Sequence, residues 1–117
     1  MFVRPSPRAL YLVAGFMLMA AAVVQAPRAA RAAEAAIPAK IVNFAFAPPT
    51  LTVHAGGAVT WTNADDEPHT VVADDGAFKS HALDTGDAFT QVFAKPGVYA
   101  YHCSLHPYMV GKIVVQR

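Results

Sequence analysis

Short runs of alternating apolar and polar residues, separated by turn-forming residues, make up most of the chain after residue 40. Residues 58–63 alternate cleanly, with Val59 and Trp61 on one face and two threonines on the other. Residues 88–93 alternate in the same way, with two phenylalanines on one side. A period of two residues is typical of a β-strand that buries one face. Both segments are therefore predicted to be half-buried strands.

Further strand-type runs are separated by Pro, Gly, Asn and Asp, and they lie at residues 41–46, 51–53, 69–73, 98–103 and 111–115. No segment of this part shows three or four turns of helical periodicity. Several short strands with closely spaced turn signals favour a β-sandwich or a small barrel. We therefore predict an all-β domain of seven to eight short strands.

The first third of the chain has a different pattern, with two arginines in residues 1–8 and an uncharged, largely apolar stretch at residues 9–26. Small residues follow, and Ala30-Arg31-Ala32 fits an A-x-A cleavage site. This order is typical of a secretory signal. We predict a signal peptide at residues 1–32, a linker at 33–39 and a folded domain at 40–117. An uncleaved membrane anchor remains an alternative, because the apolar stretch at residues 9–26 is close to the lower limit of ~17 residues for a membrane-spanning helix.

Removal of the leader changes the charge, because four of the nine basic residues lie in it. The remainder carries eight acidic and five basic residues, a net charge of −3 with His neutral. A mildly acidic domain without a basic stripe is not expected to bind nucleic acid. The single cysteine, Cys103, excludes an internal disulfide. A lone thiol in an oxidising compartment is at risk of oxidation unless a metal binds it.

The candidate chemistry lies in a seven-residue loop between the last two predicted strands, where Cys103, His106 and Met109 form a C-x2-H-x2-M run. A second imidazole is available upstream at His69. Two His, one Cys and a weak axial Met are the ligands of a blue-copper electron-transfer site. Each residue alone has an ordinary explanation as a core or surface side chain, but three different metal ligands in one hairpin loop do not. Structural zinc sites usually contain more thiolates.

Other candidate residues are weaker. His102 is predicted to face away from Cys103, and His54 and His81 lie in polar surroundings. The run of residues 65–67 is most simply a solvated turn, although it could form an acidic patch that steers a basic redox partner. No catalytic triad order or phosphate-binding glycine loop is present, and no acid or base would remain free beside the metal. We therefore expect no enzyme activity.

At these motifs the chain resembles the cupredoxin family, and within it the amicyanins. The resemblance includes the ligand spacing, Pro107 after the loop histidine, Tyr108 before the methionine, and the stretch from Gly111 onward. Upstream, the strand around Trp61 and the Pro68-His69 pair also match. It covers roughly residues 41–115 and implies a Greek-key β-sandwich.

The resemblance implies that His69, Cys103 and His106 are equatorial ligands of one type 1 copper ion and that Met109 is the axial ligand. It also implies an exposed edge of His106 as the electron port. Two positions depart from the family pattern: Thr70 replaces an Asn that links the two ligand segments, and Leu105 replaces a Pro. A threonine hydroxyl can replace only part of that link.

The implied function is a periplasmic electron carrier that cycles between Cu(II) and Cu(I). Its partners would be a redox donor and an acceptor, such as a dehydrogenase, a c-type cytochrome or an oxidase. The protein is expected to be a monomer that contacts a membrane only if the leader is uncleaved. Copper sequestration or delivery is the alternative function, and an anchored accessory domain of a membrane oxidase or dehydrogenase is a third.

Overall fold

The computed structural model describes residues 35–117, and these residues form eight β-strands. The strands are β1 (Ile37–Val42), β2 (Ala45–Ala47), β3 (Thr50–His54), β4 (Ala58–Asn63), β5 (Val72–Ala73), β6 (Ala88–Val92), β7 (Gly97–His102) and β8 (Val110–Gln116). The described residues contain no helix long and apolar enough to cross a membrane. The predicted signal peptide lies outside the described residues.

The strands form two four-stranded sheets with the orders β2-β1-β4-β6 and β3-β8-β7-β5. Both sheets are mixed, because β1 pairs in parallel with β4 and β3 pairs in parallel with β8, while the other neighbours are antiparallel. The parallel partners are distant in sequence, so the chain crosses between the sheets. The prediction of an all-β sandwich with seven to eight strands is confirmed.

The core lies between the two sheets and follows the predicted alternation. Val59 and Trp61 of β4 are fully buried, whereas Thr60 and Thr62, which alternate with them, are only partly buried. From the opposite sheet Tyr101 of β7 packs edge-on against Trp61, and the Trp61 Nε1–H donates a hydrogen bond of 3.2 Å to the Tyr101 hydroxyl oxygen. A polar contact between two buried aromatic rings fixes how the sheets pack on each other.

The first strand begins earlier than the sequence predicts. β1 starts at Ile37 and pairs in parallel with β4, with Ile37 opposite Val59, so residues 37–39 of the predicted linker belong to the sheet. Ala39 is buried in the core. A proline such as Pro38 is typical of a linker. Here pairing with the neighbouring strand β4 makes the segment a strand.

The predicted strand at residues 41–46 is in fact a tight hairpin. β1 ends at Val42 and β2 begins at Ala45, and these two residues pair with each other. Asn43 and Phe44 form the two-residue loop with φ of 53° and 55°. Such loops need a positive φ at both positions, a conformation that Asn tolerates and Phe rarely adopts. Without glycine the sequence gives only a weak turn signal here.

Gly111 of β8 lies directly beneath the ring of Tyr101, and a Cβ at this position would lie 2.3 Å from the Tyr101 Cζ atom. Gly111→Ala should therefore displace the ring from Trp61 and lower the free energy of unfolding by about 1–3 kcal/mol, as overpacking of a core does. Urea denaturation measures the effect. Val110→Ala, at the exposed neighbouring position, is the matched control. Equal stability of the two variants would contradict this packing.

Candidate metal centre

Three side chains from distant segments converge at one end of the sandwich. His69 lies in the segment before β5, Cys103 follows β7, and His106 lies in the loop that leads to β8. The Cys103 Sγ atom lies 3.8 Å from the His69 Nδ1 and 3.7 Å from the His106 Nδ1, and the two nitrogens are 3.2 Å apart. Within residues 35–117 this is the one group of three His, Cys, Asp or Glu whose ligand atoms converge.

The triangle of donor atoms has the size of a metal site. A point equidistant from the three atoms lies about 2.1 Å from each, close to the 2.0–2.1 Å of metal–nitrogen and ~2.3 Å of metal–sulfur bonds known for zinc. The cysteine and the first histidine are fully buried, and the second histidine is half-buried. One thiolate and two imidazoles in a trigonal arrangement favour copper over a tetrahedral zinc site.

The ring of His69 is oriented by Asp65. The Nε2 atom of His69 lies 2.8 Å from the Asp65 Oδ2 atom, so the Nε2–H donates to the carboxylate and the Nδ1 lone pair faces the cluster. His69 is further held by paired backbone hydrogen bonds with Leu83 of 2.7 and 3.0 Å. A carboxylate behind a ligating histidine is a common arrangement because it fixes the tautomer and the ring direction.

The expectation of a solvated turn at residues 65–67 is therefore wrong for Asp65. Partial burial raises the pKa of this carboxyl, but hydrogen bonds from the Phe44 N–H, His69 and the Asn43 N–H lower it, and the net pKa lies below its ordinary value. The group consequently stays ionised at neutral pH. Its neighbours Asp66 and Glu67 are exposed, as a solvated turn requires.

The sulfur of Cys103 is surrounded by donors. The Thr70 N–H lies 3.3 Å and the Thr70 hydroxyl 3.7 Å from the Sγ atom. Burial raises the pKa of the Cys103 thiol, but hydrogen bonds from Thr70 and His106 lower it, and the net pKa lies below its ordinary value. The thiolate is the form that binds metal, so these contacts prepare the sulfur for coordination.

A hydroxyl pair links the two segments that carry the ligands. The Ser104 N–H donates to the Thr70 Oγ1 atom at 2.7 Å, and the two hydroxyl oxygens are also 2.7 Å apart. Thr70 thus accepts a backbone hydrogen bond and shares a second bond with a side chain on the cysteine loop. The expected partial link at Thr70 is completed by Ser104, which the sequence did not single out.

Met109 closes the ligand loop. Its carbonyl oxygen accepts from the Cys103 N–H at 3.1 Å, and its own N–H donates to the His106 carbonyl oxygen at 2.9 Å. The side chain is buried in the core cluster. These bonds make the loop a compact turn rather than a loose connection, even though Leu105 stands where a proline would stiffen it.

The outer side of the centre is apolar and partly open to solvent. The ring of Phe44 packs edge-on against both imidazoles, with centroid distances of 5.3 Å to His69 and 5.1 Å to His106. Tyr108 also packs against His106, with ring centroids 6.2 Å apart, and is largely exposed. The half-buried imidazole therefore contacts two partly or largely exposed aromatic side chains.

The remaining histidines of the described residues lie outside the cluster, in agreement with the prediction. His102 points away from Cys103, and its Nδ1 atom lies 2.6 Å from the Asp74 Oδ1 atom. His54 and His81 are exposed. The sequence pattern did not indicate that Phe44 contacts the two histidines or that Asp65 orients His69. For Asp65 the only signal was its position four residues before His69.

Comparison with known proteins agrees with this geometry. The family model described as "Cupredoxin-like domain" matches residues 12–115. The chain belongs to the cupredoxin family. Amicyanin of Paracoccus denitrificans is 37% identical over 93 residues, which cover 75% of this chain and 71% of that protein.

This cupredoxin is also similar to a chloroplast plastocyanin and to a solved amicyanin. The plastocyanin of Tetradesmus obliquus is 38% identical over 84 residues, 61% of this chain and 58% of that protein. The solved structure of a reduced amicyanin mutant superimposes with a TM-score of 0.67 at 34% identity, covering 72% of this chain and 85% of that chain. The donor set of this cupredoxin fits one type 1 copper ion.

The hydroxyl link can be tested with Thr70→Val, which keeps the side-chain volume and the N–H donor but removes the oxygen. The Ser104 N–H then loses its acceptor, so the free energy of unfolding should fall by about 1 kcal/mol or more. Thr52→Val, an exposed strand position, is the control and should change stability by less than about 0.5 kcal/mol. Thermal and urea denaturation of the copper-free protein measure both, and equal losses would refute the link.

Proposed function

We propose that this protein is a periplasmic blue-copper electron carrier with His69, Cys103 and His106 as equatorial ligands and Met109 as the axial ligand. The observation that supports this most strongly is the convergence of the two Nδ1 atoms and the Sγ atom within 3.2–3.8 Å of one another. A copper ion bound there would alternate between Cu(II) and Cu(I) and so carry one electron at a time.

The chain's own residues favour electron transfer over copper release. His69 and Cys103 are fully buried. The His69 Nε2–H donates a hydrogen bond to the Asp65 carboxylate, and the Cys103 sulfur accepts one from the Thr70 N–H. Ligands fixed by a rigid framework need to move little when charge changes, which lowers the barrier to electron transfer. Among residues 35–117, the carboxylate nearest to the donor atoms, that of Asp65, is already engaged by three hydrogen-bond donors, and we assign no catalytic reaction.

His106 is the route by which electrons would enter and leave, because it is the half-buried member of the cluster. We expect a redox protein donor and acceptor to dock on this end, with a dehydrogenase, a c-type cytochrome or an oxidase as candidates. The exposed Asp66 and Glu67 close to the centre favour a partner with basic residues around its port. The carrier is expected to act as a monomer.

The ligand assignment predicts the optical spectrum of the copper-loaded protein. The Cu(II) form should be intensely blue with narrow copper hyperfine splitting in EPR, because the thiolate bonds directly to copper. Cys103→Ser should abolish the blue band. Met109→Ala should keep the colour and shift the reduction potential, whereas His81→Ala, at an exposed histidine, should change neither. A colourless Cu(II) form of the wild-type protein would exclude the proposal.

Copper sequestration or delivery predicts different kinetics. For an electron carrier, NMR line broadening in a mixture of Cu(I) and Cu(II) protein should show rapid electron self-exchange. Transfer of copper to a strong chelator should take far longer than that exchange, because two ligands are buried. Rapid transfer to the chelator without measurable self-exchange would support copper handling instead.

The periplasmic location depends on the predicted signal at residues 1–32. Expression of the full chain in a Gram-negative host should give an exported protein whose N-terminus begins after residue 32. N-terminal sequencing of the periplasmic fraction tests this, with a version lacking residues 1–32 as the control that stays in the cytoplasm. An intact N-terminus in the membrane fraction would instead support the anchored form.

A further inference from the structure

The carboxylate of Asp65 connects two parts of the structure that are far apart in sequence. It accepts hydrogen bonds from the Asn43 N–H at 2.6 Å, the Phe44 N–H at 2.9 Å and the His69 Nε2–H at 2.8 Å. The backbone of the same residue is also fixed, since its N–H donates to the Asn63 Oδ1 atom and its carbonyl oxygen accepts from the Thr85 hydroxyl. A residue held by five hydrogen bonds, three of them to its carboxylate, is too constrained to be an ordinary surface acid.

The hairpin loop at this carboxylate is strained. Phe44 has φ of 55°, a region that bulky side chains avoid at a cost on the order of 1–3 kcal/mol. Both loop N–H groups point at the one carboxylate, which offsets that cost with two charge-assisted hydrogen bonds. The loop therefore depends on Asp65 for its conformation.

This conformation places an aromatic ring against both histidines. Phe44 is 39% exposed, yet its ring makes edge-on contacts with His69 and His106. The ring covers part of both imidazoles. A displaced loop would expose the two imidazoles to water on the side that Phe44 covers.

We propose that Asp65 is a positioning residue of the copper centre: its carboxylate orients His69 for coordination through Nδ1 and holds the Asn43–Phe44 loop so that Phe44 shields both imidazoles. The inference rests on the proposed copper site and adds a coupling between the β1–β2 hairpin and the ligands. Because Asp65 carries a fixed negative charge beside one ligand, it also favours Cu(II) over Cu(I).

The test compares Asp65→Ala with Asp66→Ala, which removes an equal charge from the exposed neighbouring position. In the copper-free protein, NMR should show a slowly exchanging His69 Nε2–H proton and contacts between Phe44 and both imidazoles. Asp65→Ala should lose these signals, and Asp66→Ala should keep them. Copper affinity, measured by competition with a chelator, should fall about 10–100-fold for Asp65→Ala, as for other residues that support a metal ligand.

Two further variants separate the roles of the carboxylate. Phe44→Ala should keep the Nε2–H signal but increase solvent exchange at the imidazoles. Asp65→Asn keeps the side-chain volume but leaves a single acceptor oxygen. One amide oxygen cannot accept three hydrogen bonds in these directions. The variant should therefore lose at least one contact and bind copper at least about threefold more weakly. The reduction potential should rise in both Asp65 variants and hardly change in Asp66→Ala, where solvent and salt screen the charge.

The outcomes are distinguishable from those of the proposed function. If wild-type protein is blue but Asp65→Ala retains the NMR contacts and binds copper within twofold of wild type, the positioning role is refuted. Should Asp65→Ala fail to fold, Asp65→Asn provides the same measurements, and unchanged contacts and affinity there would refute it equally. If wild-type protein is not blue, the copper function fails, while the copper-free NMR comparison still decides whether Asp65 orients His69 and the hairpin.

Discussion

The close approach of two imidazole nitrogens and one sulfur is the constraint on which this structure depends. Two imidazole nitrogens 3.2 Å apart and a sulfur within 3.8 Å of each are arranged for a cation, not for one another. The donors are kept in place by hydrogen bonds to groups that lie outside the shared position. Asp65 does this for the first histidine, and Thr70 does it for the sulfur.

Strand pairing brings the two segments that carry His69 and Cys103 together. The segment with His69 and the loop with Cys103 belong to different turns of the chain and meet because β5 pairs with β7, with Val72 opposite His102. Farther from the centre, the contact between Trp61 and Tyr101 fixes one sheet against the other. The geometry of the candidate metal centre thus depends on strand pairing within a sheet and on packing between the sheets.

Much of this was predictable from the residues. The alternation of Val59 and Trp61 indicated a buried face, and the shared parity of Tyr101 and Cys103 placed the sulfur at the core, where the structure has it. The spacing in the loop indicated a metal site because no ordinary packing explains it. By contrast, Ile37 joins β1 although the sequence favoured a linker there, because strand pairing depends on a partner far along the chain.

By itself the sequence determined the class of fold and the chemistry of the donors, since periodicity and side-chain type are local properties. The tertiary structure alone decided which acids and hydroxyls support those donors. Asp65 and Ser104 look like solvated polar residues until the folded chain brings Phe44 and Thr70 to them. Hydrogen-bond partners more than 20 residues apart are selected by three-dimensional proximity, which no short pattern of residues specifies.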